Sequence, residues 1–303
     1  MLYYKVILDR NYHAIGGYMQ YYTPKSFSEA IEISMEAKGI TRFLAGGTDV
    51  LVQLRADIVT PDVLIDIKKI PEVGDILQNS DGSWRIGAAV PGAQLNEHKD
   101  LKAQWPGVVE AMDLIGSTQV QGRATLVGNL CNGSPAADSV PALIAAGASV
   151  TVVSANGSRE VLVEDIPHSP GKTVLEKGEL ISAVNLPARN TNGGDAYLRL
   201  IPRTEMDIAV VGCAVNLSVK EGIVSDARIS LGAVTAKVTL VKEAADAIIG
   251  TTLDEKALAA LSLAASAACK PIDDKRGTIE YRTHVAGVLA KRAAQIAYKR
   301  ARS

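Results

Sequence analysis

The chain has 303 residues, 47% of them hydrophobic and 21% charged, with a formal net charge of −1; this is the composition of a well-cored globular protein of two modest domains or one large divided one. A balance so close to neutral supplies no global field to draw the protein to nucleic acid or to an anionic membrane. Three widely spaced cysteines, Cys131, Cys213 and Cys269, cannot supply four thiolates to an iron–sulfur cluster and do not make a secreted disulfide framework, which points to a reducing, cytoplasmic setting.

The four histidines (His13, His98, His168, His284) are scattered, none at the i, i+4 spacing of a metal-binding helix, so no metal is expected on this chain. The first 18 residues read as an extension before a natural start at Met19, and their tyrosines and charges interrupt any signal-peptide apolar core. From Tyr21 the pattern predicts a strand, a helix over 26–38 opened by a Ser26/Glu29 capping box, a strand over 41–45, a Gly-Gly turn, a helix over 49–56 and a strand over 63–66. Alternation of this kind signals an α/β layer. A second block begins near Ser83: a strand over 84–87, helices over 92–98 and 107–115, then a long polar loop. The charge-free stretch 139–158 contains Pro141, Gly147 and Asn156, so it reads as a buried helix (141–147) leading into a strand (149–154), not as a membrane span. An Asn-Gly turn then leads into a strand over 159–163.

The polar, glycine-rich segment 190–194 is the predicted linker. Beyond it, two long antiparallel strands (207–219 and 223–234) join at Lys220-Glu221-Gly222, and three helices follow over 239–249, 254–269 and 280–302. The last carries Lys291, Arg292, Lys299, Arg300 and Arg302, read as a solvated face. Strands followed by helices make this third an α+β unit. The predicted division is 19–189, with lobes 19–75 and 76–189, and 195–303.

Two loops carry the chemistry. In Phe43-Leu44-Ala45-Gly46-Gly47-Thr48-Asp49-Val50 an apolar strand ends in two glycines, and Thr48 is placed to cap the next helix. Glycines expose successive backbone N–H groups and a helix start adds partial positive charge, a setting for phosphate. The spacing is neither a P-loop nor G-x-G-x-x-G, and a structural strand–helix turn accounts for it equally well. The second loop, Thr125-Leu126-Val127-Gly128-Asn129-Leu130-Cys131-Asn132-Gly133-Ser134-Pro135-Ala136-Ala137-Asp138, sets polar side chains among small residues between apolar flanks, where buried polar groups need partners. Ser134-Pro135 reads as a helix cap with proline at the first helical position, and Cys131 as a small buried thiol. No triad or paired-carboxylate site is discernible, so no catalytic side chain is named. Two such loops without an anchoring lysine suit a dinucleotide, and the residues do not choose FAD over NAD.

The paired motifs Ala45-Gly46-Gly47-Thr48-Asp49 and Thr125-Leu126-Val127-Gly128-Asn129…Ser134-Pro135-Ala136-Ala137-Asp138 resemble the FAD-binding subunits of the xanthine dehydrogenase and carbon monoxide dehydrogenase family. Arg203-Thr204-Glu205-Met206-Asp207-Ile208-Ala209 resembles the start of that family's C-terminal flavoprotein domain, and the likeness runs from about Tyr21 to the end. The resemblance implies a two-lobed, PCMH-type FAD-binding domain followed by an α+β domain of antiparallel sheet and three helices. It implies that 45–50 and 125–129 wrap the FAD pyrophosphate and ribityl chain, that Ser134 and Asp138 belong to the second loop's contacts, with Asp138 accepting hydrogen bonds from the cofactor, and that Ile115, Ile181, Tyr197 and Arg199 lie near the flavin. Tyr197 suits stacking on the ring or a place in the core. Val127 departs from the family, which usually has glycine there. No four-cysteine insertion for an additional cluster is present. The implied role is electron transfer from partner iron–sulfur clusters through FAD to an external acceptor. A large molybdopterin-binding subunit and a small [2Fe-2S] subunit would be the partners, in a dimer of heterotrimers. A stand-alone FAD oxidase or reductase, and a non-enzymatic nucleotide-binding module, are the competing readings.

Overall fold

A computed structural model describes residues 19–303; the N-terminal extension read above lies outside the described residues. The first layer is a parallel three-stranded sheet of order β1 (Gln20–Tyr22), β3 (Val63–Asp66), β2 (Thr41–Leu44). Helix α1 (Phe27–Glu36) crosses between β1 and β2; Ser26 Oγ accepts from Glu29 N at 3.2 Å, while Glu29 Oε2 accepts from Lys25 N at 2.7 Å. Val63 to Asp66 are all buried, as a central parallel strand covered on both faces must be. Helix α2 (Val50–Arg55) follows the glycine turn, but Thr48 does not cap it: Asp49 occupies the N-cap and offers no side-chain bond.

The second layer is an antiparallel sheet of order β4 (Ile76–Gln78), β5 (Trp84–Gly87), β10 (Leu180–Leu186), β6 (Ser149–Ser154), β7 (Gly157–Leu162). Five short helices and one buried one precede β6: α3 (Gly92–Glu97), α4 (Lys99–Gln104), α5 (Pro106–Asp113), α6 (Thr118–Gln121), α7 (Leu126–Cys131) and α8 (Ser139–Ala145). The predicted polar loop therefore contains α6 and α7. Ser134-Pro135 starts no helix: Ser134 Oγ accepts from Ala136 N in a turn, and α8 begins at Ser139. The hairpin strands β8 (Pro167–Ser169) and β9 (Lys172–Thr173) lead back to β10.

The third layer is the antiparallel sheet β11 (Gly193–Leu200), β12 (Val211–Lys220), β13 (Ile223–Gly232), β14 (Thr239–Leu240). Glu221 and Gly222 turn the chain at φ 53° and 80°, the positive-φ pair that matches the twist of a two-residue hairpin. Three expectations shift here. Gly193 and Gly194 of the predicted linker already pair with β12, Asp207 to Val210 stay outside it, and the helix expected from 239 begins as β14 before α9 (Lys242–Asp246).

Helices α10 (Glu255–Ala267) and α11 (Ile279–Arg300) cover that sheet. The inner face of α11 is alanine: Ala286, Ala290, Ala293, Ala294 and Ala297 are fully buried, which brings the helix axis close to its neighbours. Its basic end is only partly solvated, since Arg300 turns inward to Glu110 on α5 and donates to the Asp195 carbonyl at 2.7 Å. Where α10 meets α11, a Cβ on Gly287 would stand 2.5 Å from Ser262 Oγ and 2.8 Å from the Ser262 carbonyl oxygen. Gly287→Ala is therefore expected to destabilise the chain by about 1–3 kcal/mol through overpacking, despite alanine's better helix propensity. A melting temperature at or above wild type would refute this packing.

Candidate functional site

Between the first two layers lies a cleft of about 640 Å³, within the range of small-molecule and cofactor sites. Its first wall is the glycine turn after β2. Gly47 sits at φ 79°, where only glycine is unstrained. A Cβ on Gly46 would lie 1.9 Å from the carbonyl oxygen of Arg123. The first loop is thus pressed directly against the segment that feeds the second, although 77 residues separate them in sequence. Among the described residues, no hydrogen bond uses the backbone N–H of Gly46, Gly47, Thr48 or Asp49. Burial raises the Asp49 carboxyl above its ordinary pKa.

The second wall is α7. Thr125 Oγ1 accepts from Gly128 N at 2.9 Å and caps it. Asn129 Oδ1 accepts from Ser139 N (3.1 Å) and Ser139 Oγ (2.7 Å), fastening α7 to α8. Gln53 Nε2 donates to Asn132 Oδ1 at 3.1 Å, tying α2 to the far side. The Val127 side chain is buried in the cleft wall. Cys131, read as a small buried thiol, lines the cleft and has solvent-accessible surface there, while the protein packed around it pushes its pKa up to about 12.

Of a third wall, residues 171–181, the sequence reading had named only Ile181. Gly171 N donates to the Gly133 carbonyl at 2.9 Å. Glu179, held below its ordinary pKa by the Arg159 guanidinium 3.0 Å away, also accepts from Glu176 N. Lys177 Nζ reaches across to the Ala37 carbonyl at 2.6 Å. The apolar lining includes Phe43, Ile58, Ile115, Val127 and Ile181, and Thr41, which also lines the cleft, has its Oγ1 buried without a hydrogen-bond partner.

The cleft gathers residues 45–50, Ile115, Thr125, Val127, Gly128, Asn129 and Ile181 from the sequence-derived set. Ser134, Asp138, Tyr197 and Arg199 do not line it. The last three form a separate buried cluster that joins α8 to β11. The Tyr197 hydroxyl donates to Asp138 Oδ1 at 2.8 Å and Arg199 Nη1 donates to Oδ2 at 2.7 Å. Tyr197 is 2% exposed, packed in the core. Burial raises Asp138 to a pKa of about 6 despite Arg199 and Tyr197. Among the described residues no group of three or more His, Cys, Asp or Glu side chains is placed to hold a metal ion, and no helix is long and apolar enough to cross a membrane.

A cleft walled by two abutting glycine loops, lined by unpartnered amides and by apolar side chains, is a cofactor-sized site in a protein of the α/β plus α+β type. Residues 17–189 match the FAD binding domain in molybdopterin dehydrogenase, and residues 196–297 the CO dehydrogenase flavoprotein C-terminal domain. The chain is 31% identical to the carbon monoxide dehydrogenase medium chain of Hydrogenophaga pseudoflava, over 93% of this chain and 97% of that one. It is 28% identical to the putative xanthine dehydrogenase FAD-binding subunit XdhB of Escherichia coli K12, over 91% and 94%. The solved carbon monoxide dehydrogenase from Hydrogenophaga pseudoflava that lacks the Mo-pyranopterin moiety of its molybdenum cofactor superposes with a TM-score of 0.90 at 32% identity, covering 93% of this chain and 98% of the other. The chain belongs to the FAD-binding medium subunits of the carbon monoxide dehydrogenase and xanthine dehydrogenase family, oxidoreductase flavoproteins of molybdenum hydroxylase complexes.

Proposed function

We propose that the cleft holds one FAD non-covalently and that the chain relays electrons inside a larger assembly. Its partners would be a large molybdopterin-binding subunit and a small [2Fe-2S] subunit, in a dimer of heterotrimers. Residues 19–189 form the flavin-binding part of this reading and 195–303 the C-terminal part. The observation that carries the cofactor assignment is the run of four unpartnered amides, Gly46 to Asp49, on a loop held against the second loop. Consecutive N–H groups facing one cleft make a concave donor site for phosphate oxygens. The apolar stretch at Phe43, Ile115, Val127 and Ile181 suits a planar ring, and the unpartnered Thr41 Oγ1 suits a polar group at its edge.

Bound FAD supplies a ring that accepts and releases electrons, which no side chain here does. The chain's own work is to bind and orient: backbone donors fix the diphosphate, apolar side chains exclude water from the ring, Gln53 ties the first wall to the second through Asn132, and Asn129 braces the second wall against α8. Asp138 acts indirectly, by fixing the C-terminal sheet against the helix that carries the second loop.

Acid precipitation of the purified chain is expected to release FAD into the supernatant at one per chain. Flavin retained by the denatured polypeptide would overturn non-covalent binding, and FMN in place of FAD would overturn the diphosphate assignment. Expressed alone, the chain is expected to leave the complex's organic substrate unoxidised while still passing electrons to small dyes. Substrate turnover by the isolated chain at the rate of the complex would overturn the relay and favour a stand-alone flavoenzyme.

A further inference from the structure

The first glycine loop contains no lysine or arginine, yet two cations stand directly behind it. Lys68, just after β3, donates from Nζ to the Ala45 carbonyl at 2.9 Å and to Asp66 Oδ1 at 2.6 Å. Asp66 is buried and fixed in turn, since its Oδ2 accepts from the Tyr21 hydroxyl at 2.7 Å and its Oδ1 also accepts from Lys68 N. Arg123, just before the second loop, directs Nε at the Gly46 carbonyl, 3.4 Å away. Neither side chain lines the cleft, whereas Ala45, Gly46 and Ala124 do.

A trans peptide is planar, so its carbonyl and its N–H point in opposite directions. Holding the Ala45 carbonyl toward Lys68 therefore turns the Gly46 N–H away from Lys68. Holding the Gly46 carbonyl toward Arg123 does the same for the Gly47 N–H. These are two of the four amides that have no acceptor within the described chain. Glycines impose no preference of their own on this turn, so an anchor outside the loop must fix which way its peptides face.

We infer that Lys68 is a positioning residue for the cofactor's diphosphate: through the Ala45 carbonyl, and alongside Arg123, it locks the glycine loop with its amides turned toward the phosphates. The inference rests on the FAD reading above. A rigid loop meets the diphosphate with its donors already ordered, whereas a loose one must lose that freedom on binding. Lys68 is itself partly desolvated, and burial lowers its pKa, with Asp66 opposing and the nearby Arg123 adding to the effect; its side chain is still 32% exposed.

The test uses the full chain freed of flavin, titrated with FAD and, separately, with riboflavin, which has the ring but no phosphate. Lys68→Met is expected to weaken FAD by roughly tenfold or more, the effect of losing a hydrogen bond with a charged partner, and to leave riboflavin affinity unchanged. Lys68→Arg, which keeps the charge and the reach, is expected to recover most of the FAD affinity. Wild-type FAD affinity in Lys68→Met overturns the inference. So does an equal loss for FAD and riboflavin, the mark of general damage to the fold, or a failure of Lys68→Arg to recover anything. A wild-type chain that binds no FAD at all would overturn the cofactor assignment itself, a separate result.

Discussion

Gly46→Ala is expected to yield a folded chain that retains almost no FAD. The added Cβ would lie 1.9 Å from the Arg123 carbonyl oxygen, 2.6 Å from its carbon and 3.1 Å from Ala124 Cα. All three are backbone atoms, so no flexible side chain can yield, and the two loops must separate. Overpacking alone costs about 1–3 kcal/mol, and the separation also misaims the amides of Gly46 and Gly47. Losing two hydrogen bonds to a charged group, each worth about 1.5–3 kcal/mol, corresponds to a fall in FAD affinity of roughly a hundredfold to ten-thousandfold. Gly122→Ala is the matched control. It lies in the same approach to the second loop, at φ −62°, where a Cβ makes only a 3.4 Å contact with the Gln119 carbonyl oxygen. The ratio of flavin to protein after gel filtration separates the two. Full flavin in Gly46→Ala would show that the loops do not abut as described.

Much of this site was legible in the sequence because turn chemistry is local. Gly46-Gly47 announce a sharp exit from a strand, but the caps were misplaced: Thr48 and Ser134 were read as caps, whereas Thr125 caps α7, a helix that was itself hidden. Its six residues, Leu-Val-Gly-Asn-Leu-Cys, are too few to show a helical period and include a glycine. The wall at 171–181 could not be read, because its place depends on β10 pairing between β5 and β6, Ala183 facing both Gly87 and Thr151. Helical residues were misplaced at Thr239 and Leu240 for a similar reason: pairing with Leu231 and Ser230 overrides local preference. Lys68, within Ile67-Lys68-Lys69-Ile70, looks like any solvated lysine; its bonds to Ala45 and Asp66 distinguish it from Lys69. Asp138, Tyr197 and Arg199 were all singled out by resemblance, yet their mutual contacts span 59 and 61 residues. The sequence marks them without saying whether they face the cofactor or each other.

Asp138→Ala is expected to lower stability by about 3–5 kcal/mol, the cost of leaving a buried charge without its partner. The Arg199 side chain is 3% exposed, its Nη1 is spent on Asp138, and its Nε is already buried without an acceptor. Removing the carboxylate strands that guanidinium and the Tyr197 hydroxyl together, at the join between α8 and the C-terminal sheet. Flavin affinity would fall as a consequence of the loosened join, so flavin loss should track the loss of stability, whereas in Gly46→Ala it should exceed what the overpacking cost explains. Replacing both charges, Asp138→Leu with Arg199→Met, should cost less than Asp138→Ala alone, because no unpaired ion remains. The pair also has a definite pH signature. Asp138 titrates near 6 when folded and near its ordinary 3.8 when unfolded, so the folded chain binds the proton more tightly. The stability linked to that proton is full below pH 3.8 and is lost as pH rises through about 6. Asp195 is raised to about 6 by burial as well and contributes with the same sign, so the measurement is the difference between wild type and Asp138→Asn, in which Asp195 cancels. That difference, followed by urea unfolding, should change between about pH 4 and 6 and be level above pH 7. A difference independent of pH, together with a single-residue cost under about 1 kcal/mol, would mean that Asp138 is solvated and free to face a ligand instead of Arg199.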